Sequence, residues 1–85
     1  MKFFQILWDD DLPNGNARHI AEHGLTTQDV EYVLENPTAE IVSKSSGRPC
    51  SIGYTTSGDF IIVIYEMIEA DVIYPVTAFE LSESD

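Results

Sequence analysis

Residues 60–67 read FIIVIYEM, a run that opens with six consecutive aromatic or β-branched side chains. Such residues suit a pleated, half-buried surface better than a helix. The run is also too short and too uniformly apolar to show a helical period. Turns bracket it. TSGD at 56–59 offers Gly58 for a positive φ, and IEAD at 68–71 closes the far end. CSIGYT at 50–55 and VIYPVTAF at 72–79 flank those turns, so the three segments predict consecutive antiparallel strands. The 60–67 strand is expected at the centre of the sheet, buried on both faces, with Ile62 in the core. Pro75 cannot donate to a ladder, which predicts an edge, a bulge or an outward-facing nitrogen at that point.

Upstream, EIVS at 40–43 predicts a short strand joined to 50–55 by the polar loop SKSSGRP, 43–49. The period then changes. ARHIAEH at 17–23 predicts a short helix, stopped by Gly24 as a left-handed residue. Thr26 opens a second helix, able to cap the Asp29 backbone N–H, while the Asp29 carboxylate suits the positive helix start. Leu25 and Val30 have the spacing of a hydrophobic staple. Val30, Val33 and Leu34 form the buried stripe, and Asn36-Pro37 ends the helix. Residues 2–8 predict a first strand with Phe4, Ile6 and Trp8 on one face, and Phe3, Gln5 and Leu7 on the other. DDDLPNGN at 9–16 reads as a loop, and the C-terminal ESD as a frayed tail. The order β-α-α-β-β-β-β predicts an α+β fold. Two short helices cover one face of a mainly antiparallel sheet of four to five strands, within one domain over 1–85.

Charge narrows the partners. The chain has 15 acidic side chains against four basic ones (Lys2, Arg18, Lys44 and Arg48), a formal charge of −11 on 85 residues. Each phosphate contact in a nucleic-acid complex requires a cation, and here the summed field repels a polyanion. Nucleic acid is therefore at most a weak ligand, and a basic protein is the partner that the charge predicts. An apolar content of 44% supplies one modest core. A single cysteine, Cys50, excludes an intrachain disulfide and suggests a reducing, cytoplasmic setting. Gln5 and three aspartates interrupt the apolar start MKFFQILWDDD too early for a signal peptide or a membrane span.

Several constellations could carry chemistry. HIAEH places His19 and His23 one helical turn apart beside Glu22, the H-x-x-E-H spelling of some zinc proteases. A catalytic zinc also needs a third ligand, and no later helix offers a supporting Glu. Donors near a helix C-terminus more simply satisfy its free carbonyls. In the 9–16 loop, a calcium reading starting at Asp10 puts Leu12 and Ala21 where oxygen ligands are needed, so it fails. No metal and no cofactor is assigned. Cys50, ahead of an apolar strand, reads as a small buried hydrophobe. Lys44 and Arg48 flank two serines and a glycine, a loop that could bind a phosphate or an acidic side chain, or simply be a solvated hairpin tip. Tyr54, Tyr65, Tyr74 and Glu66 come from neighbouring strands, where cross-strand packing competes with acid–base work.

The series Trp8-Asp9, Asn16, His23-Gly24, Val33-Leu34, Asn36-Pro37, Gly47-Arg48, Gly53-Tyr54-Thr55, Gly58, Val63-Ile64-Tyr65 and Pro75-Val76-Thr77-Ala78-Phe79 resembles the BrnT-like toxins. These form a branch of the RelE-type ribonuclease superfamily, and the likeness runs over about residues 6–79. It implies two helices on an antiparallel sheet, a messenger ribonuclease activity and pairing with a DNA-binding antitoxin. It further implies a catalytic surface on which His23 is the general acid or base, Arg48 holds phosphate and Tyr65 orients the substrate. The chain departs from that pattern where Glu22 stands for the lysine before His-Gly and Phe79 for the basic residue near the last strand. Stabilising a phosphorane needs cations. With Arg48 alone remaining, the resemblance implies a ribonuclease whose activity is weakened or lost. The alternative is a non-enzymatic interaction module of the same fold, whose acidic surface docks a basic partner.

Overall fold

The computed structural model describes residues 5–9 and 15–81. Its elements are β1 (Gln5–Ile6), α1 (Asn16–Glu22), α2 (Thr27–Glu35), β2 (Ala39–Val42), β3 (Pro49–Tyr54), β4 (Phe60–Glu69) and β5 (Val72–Glu80). The sheet order is β1-β5-β4-β3-β2, antiparallel throughout except for β1, which lies parallel to β5. The α+β order read from the sequence is therefore the order of the fold. The expected loop at 10–14, the Phe3 and Phe4 positions and the tail at 82–85 lie outside the described residues.

The helices end and begin as their residue types dictate. At the close of α1, Leu25 N–H donates to Ile20 O and Gly24 N–H to Ala21 O, with Gly24 at φ +80°. This paired closure needs a left-handed residue, and glycine supplies it without steric cost. Two residues on, Thr26 Oγ1 accepts from Asp29 N–H at 3.1 Å, and Asp29 Oδ2 accepts from Thr26 N–H at 3.0 Å. The Asp29 carboxylate thus does more than suit the helix dipole: it completes a reciprocal capping box. Ile20, Leu25, Val30, Val33 and Leu34 from this helical layer pack on Ile61, Val63, Ile73 and Ala78 of the sheet, with Ile6, Trp8 and Tyr65 at the margin. Opposite Val33 the sheet carries Gly53. A Cβ there would lie 3.3 Å from Asn36 O and from Val33 Cγ1, so the missing side chain lets α2 sit close.

β4 is the central strand, but among the described residues helices cover it on one face only. Ile61 and Val63 are fully buried against the helices, whereas Ile62 and Ile64 alternate onto the opposite face and are half-buried, which corrects the expectation of burial on both. Helices of 7 and 9 residues can roof one side of a five-stranded sheet and leave the other open. Pro75 is fully buried at a bulge: Tyr65 pairs with Pro75 and Ile64 with Thr77, which leaves Val76 as the extra residue. The Pro75 carbonyl points away from β4 to Asn16, so the missing N–H also falls on the edge side, where no ladder bond is lost.

Ile61→Ala should cost about 2–5 kcal/mol and Ile62→Ala about half of that or less, because only the first leaves a closed cavity. Urea unfolding of both variants checks the phase of β4; equal losses would mean that the face opposite the helices is covered as well.

Candidate functional site

The face of the sheet away from the helices is built by strict alternation. Tyr54, Phe60, Ile62, Ile64 and Phe79 stand on it in cross-strand register, with Tyr54 opposite Phe60 and Ile62 opposite Phe79. The Tyr54 and Phe60 rings pack at 4.6 Å between centroids. Tyr54 is 48% exposed and the other four are half-buried. An apolar band therefore faces outward on the side that carries no helix among the described residues, with Phe79 at its β5 end also touching His23 at the C-cap of α1.

A polar row crosses one end of that face. Arg48 Nε donates to Glu66 Oε2 at 2.9 Å, Glu66 lies opposite Tyr74 in the β4–β5 register, and Tyr74 Oη donates to Asp9 Oδ2 at 2.9 Å. Arg48 and Glu66 side chains are 40% and 45% exposed, so their pair contributes at most about 1 kcal/mol. Donation to Asp9 favours the neutral phenol, and partial burial with the charges of Asp9 and Glu66 adds to this. The Tyr74 pKa is accordingly pushed above its ordinary value. Next to this row lies an open groove lined by Asn16, His19, Tyr74, Val76 and Thr77.

Asn16 anchors the row. It is 3% exposed, donates from Nδ2 to Leu7 O at 3.0 Å and to Pro75 O at 2.9 Å, and accepts from Asp9 N–H at 2.7 Å. One amide thereby joins the end of β1, the bulge of β5 and the first turn of α1, and holds Asp9 where Tyr74 can reach it.

The three residues expected on a catalytic surface stand apart. His23, the C-cap of α1, lies against Phe79 at 6.1 Å between ring centroids and 5.2 Å from His19. Arg48 reaches Glu66, four residues further along β4 than Ile62, the partner of Phe79. That is about 13 Å at the rise of an extended strand. Tyr65 belongs to the other face, packed against the core under the helices. The structure thus brings Arg48 to Glu66 and His23 to His19 and Phe79, but it does not bring His23, Arg48 and Tyr65 to one place.

In the 43–49 loop the serines serve their own turn. Ser43 Oγ accepts from Ser46 N–H at 3.4 Å and Ser46 Oγ from Arg48 N–H at 3.3 Å, with Gly47 at φ +73°. Cys50 is buried, and burial pushes its thiol pKa up, away from a reactive thiolate. Among the described residues, no group of three or more His, Cys, Asp or Glu side chains is placed to hold a metal ion, and no helix is long and apolar enough to cross a membrane. Sequence reasoning singled out Glu66 and Tyr74 but missed Asp9 as the acceptor and Asn16 as the anchor. The available signal was the Trp8-Asp9…Asn16 spacing, which the sequence offered only as part of a family likeness. Compared with protein-family models, with curated proteins and with solved structures, the chain matches none.

Asn16→Ala should cost about 2–3 kcal/mol, because it strips partners from buried backbone groups; chemical denaturation gives the value, and a loss below about 0.5 kcal/mol would refute the anchoring role. For Tyr74 the folded pKa exceeds the unfolded one, so its contribution is complete below the unfolded value of about 10 and is lost as pH rises through the folded value. Urea midpoints of wild type and Tyr74→Phe should therefore differ most at neutral pH and converge as pH rises through the folded value; a difference that is constant with pH would refute the linkage.

Proposed function

We propose that this chain is a non-enzymatic protein-interaction module whose open sheet face docks a basic partner. The observation that supports this reading is the outward apolar band of Tyr54, Phe60, Ile62, Ile64 and Phe79 in a chain of net charge −11. Apolar surface supplies the burial on docking, and the surrounding negative field steers a cationic protein toward it. The partner is a basic protein, which includes the antitoxin-like protein that the BrnT-like resemblance implies. A reducing, cytoplasmic setting belongs to the same reading, supported by the single buried thiol.

The second reading, a RelE-type ribonuclease toxin that is weakened or inactive, draws support from the element order that the resemblance implies. It assigns catalysis to His23, Arg48 and Tyr65. The dispersal of these residues and the Glu66 carboxylate on Arg48 favour the interaction module over it.

One probe is a labelled cationic amphipathic helix of lysine and leucine. Binding should weaken as salt rises and fall at least tenfold in Tyr54→Asp and Ile62→Asp, each checked for its melting temperature. Both substitutions add negative charge, so a purely electrostatic attraction would instead strengthen. In parallel, a long RNA at low salt should be cut by wild type no faster than by His23→Ala or Arg48→Ala. Cleavage abolished by those two changes would establish the ribonuclease reading in place of this one.

A further inference from the structure

The two edges of the sheet are managed differently. At one edge β1 is only two residues long, and beyond it the side of β5 carries Pro75 and the Asn16 side chain at the start of α1. Short strands, proline and covering segments are the usual means of keeping an edge from pairing with another chain. At the other edge, β2 (Ala39–Val42) is twice as long, carries no proline, and no segment covers it among the described residues. It pairs with β3 without a bulge, all four of its residues are exposed, and Ile41 and Val42 are 46% and 65% exposed. Its sequence, AEIV, contains neither lysine nor proline.

The ladder sets the polarity of that edge. Ser43 N–H donates to Arg48 O at 2.8 Å. Antiparallel bonds recur at every second residue, so Ile41 and Ala39 also turn toward β3, while Glu40 and Val42 turn their N–H and C=O groups outward. Glu40 lies opposite Ser51 on the helix side of the sheet, and Ile41 lies opposite Cys50 on the same face as Ile64. An incoming strand thus meets a carboxylate on one face and an isoleucine on the other, and its apolar side continues the open band.

We infer that β2 is a strand-addition site, and that its occupant is an extended segment of a partner protein in which cationic and apolar residues alternate. Backbone bonds to Glu40 and Val42 provide the pairing, a Lys or Arg beside Glu40 provides the cross-strand charge match, and a β-branched residue beside Ile41 extends the apolar face. A second copy of this chain would instead bring together two bodies of charge −11 each, so charge complementarity selects the basic partner. The inference rests on the interaction-module reading and names the edge that the partner uses.

The test uses the full chain and two labelled ten-residue peptides, each five Lys-Val repeats: one all-L, the other with D-lysine alternating with L-valine. They share charge and composition, but only the first forms a regular strand. The all-L peptide should bind at least tenfold more tightly. Its binding should slow hydrogen exchange at the Glu40 and Val42 amides at least tenfold, and Val42→Pro should remove that preference. Val42→Lys, which keeps the backbone donor but adds a repelling charge, should also weaken binding should the proline variant fail to fold. Equal, salt-sensitive affinity for both peptides would overturn strand addition and leave the basic-partner reading standing. No binding of either would overturn both. A dimer in sedimentation that Val42→Lys dissociates would overturn the inference by giving the edge to a second copy.

Discussion

The polar corner of this fold depends on one buried amide. Asn16, in the first turn of α1, spends both donors and its acceptor on backbone groups from two other segments: Leu7 O and Asp9 N–H after β1, and Pro75 O in β5. No apolar side chain could stand there without leaving those groups unpaired in a site from which water is largely excluded. The bond to Pro75 also explains why the β5 bulge can be buried, since the carbonyl turned away from the ladder finds a partner immediately. The parallel contact of β1 is two residues long and could not hold on its own. The Asn16 bonds to Leu7 and Asp9, together with the Trp8–Glu31 bond, pin the three residues after that strand.

Much of this fold was legible because its signals are local. Gly24 as a stop, Thr26 with Asp29 as a start, the staple of Leu25 and Val30, and Gly58 at φ +95° between β3 and β4 each act within a few residues. The phase of β4 was not legible. A run of six consecutive large side chains carries no alternation, so Ile61 and Ile62 cannot be ranked until the helices choose a face. The parallel pairing of β1 with β5 links residues far apart in the chain, and nothing near Gln5 announces it. The same limit applies to the polar row. Arg48, Glu66, Tyr74 and Asp9 are brought together by strand order, and only Glu66 and Tyr74 stood out as a cross-strand constellation beforehand.

Two sparse resources shape the surface. Cations are few, and Arg48 is committed to a carboxylate. Helical cover is limited too: among the described residues, 16 are helical and roof one side of a five-stranded sheet. The first leaves few groups that could grip phosphate, and the second leaves apolar side chains facing outward. These two shortages are the basis for the proposed recognition of a protein surface by burial and charge match. His23, Arg48 and Tyr65 show the same economy: each is engaged by its immediate neighbours, and none converges on a common reacting point.

The single tryptophan has a practical meaning of its own. The Trp8 indole donates to Glu31 Oε2 at 2.8 Å across the seam between the end of β1 and α2, while its ring packs against the core. An indole held beside a carboxylate emits differently from one released into water. Any event that lifts α2 from the sheet, even briefly and without global unfolding, thus alters the intrinsic fluorescence of the chain. The molecule carries a built-in optical gauge of how firmly its helical roof is seated.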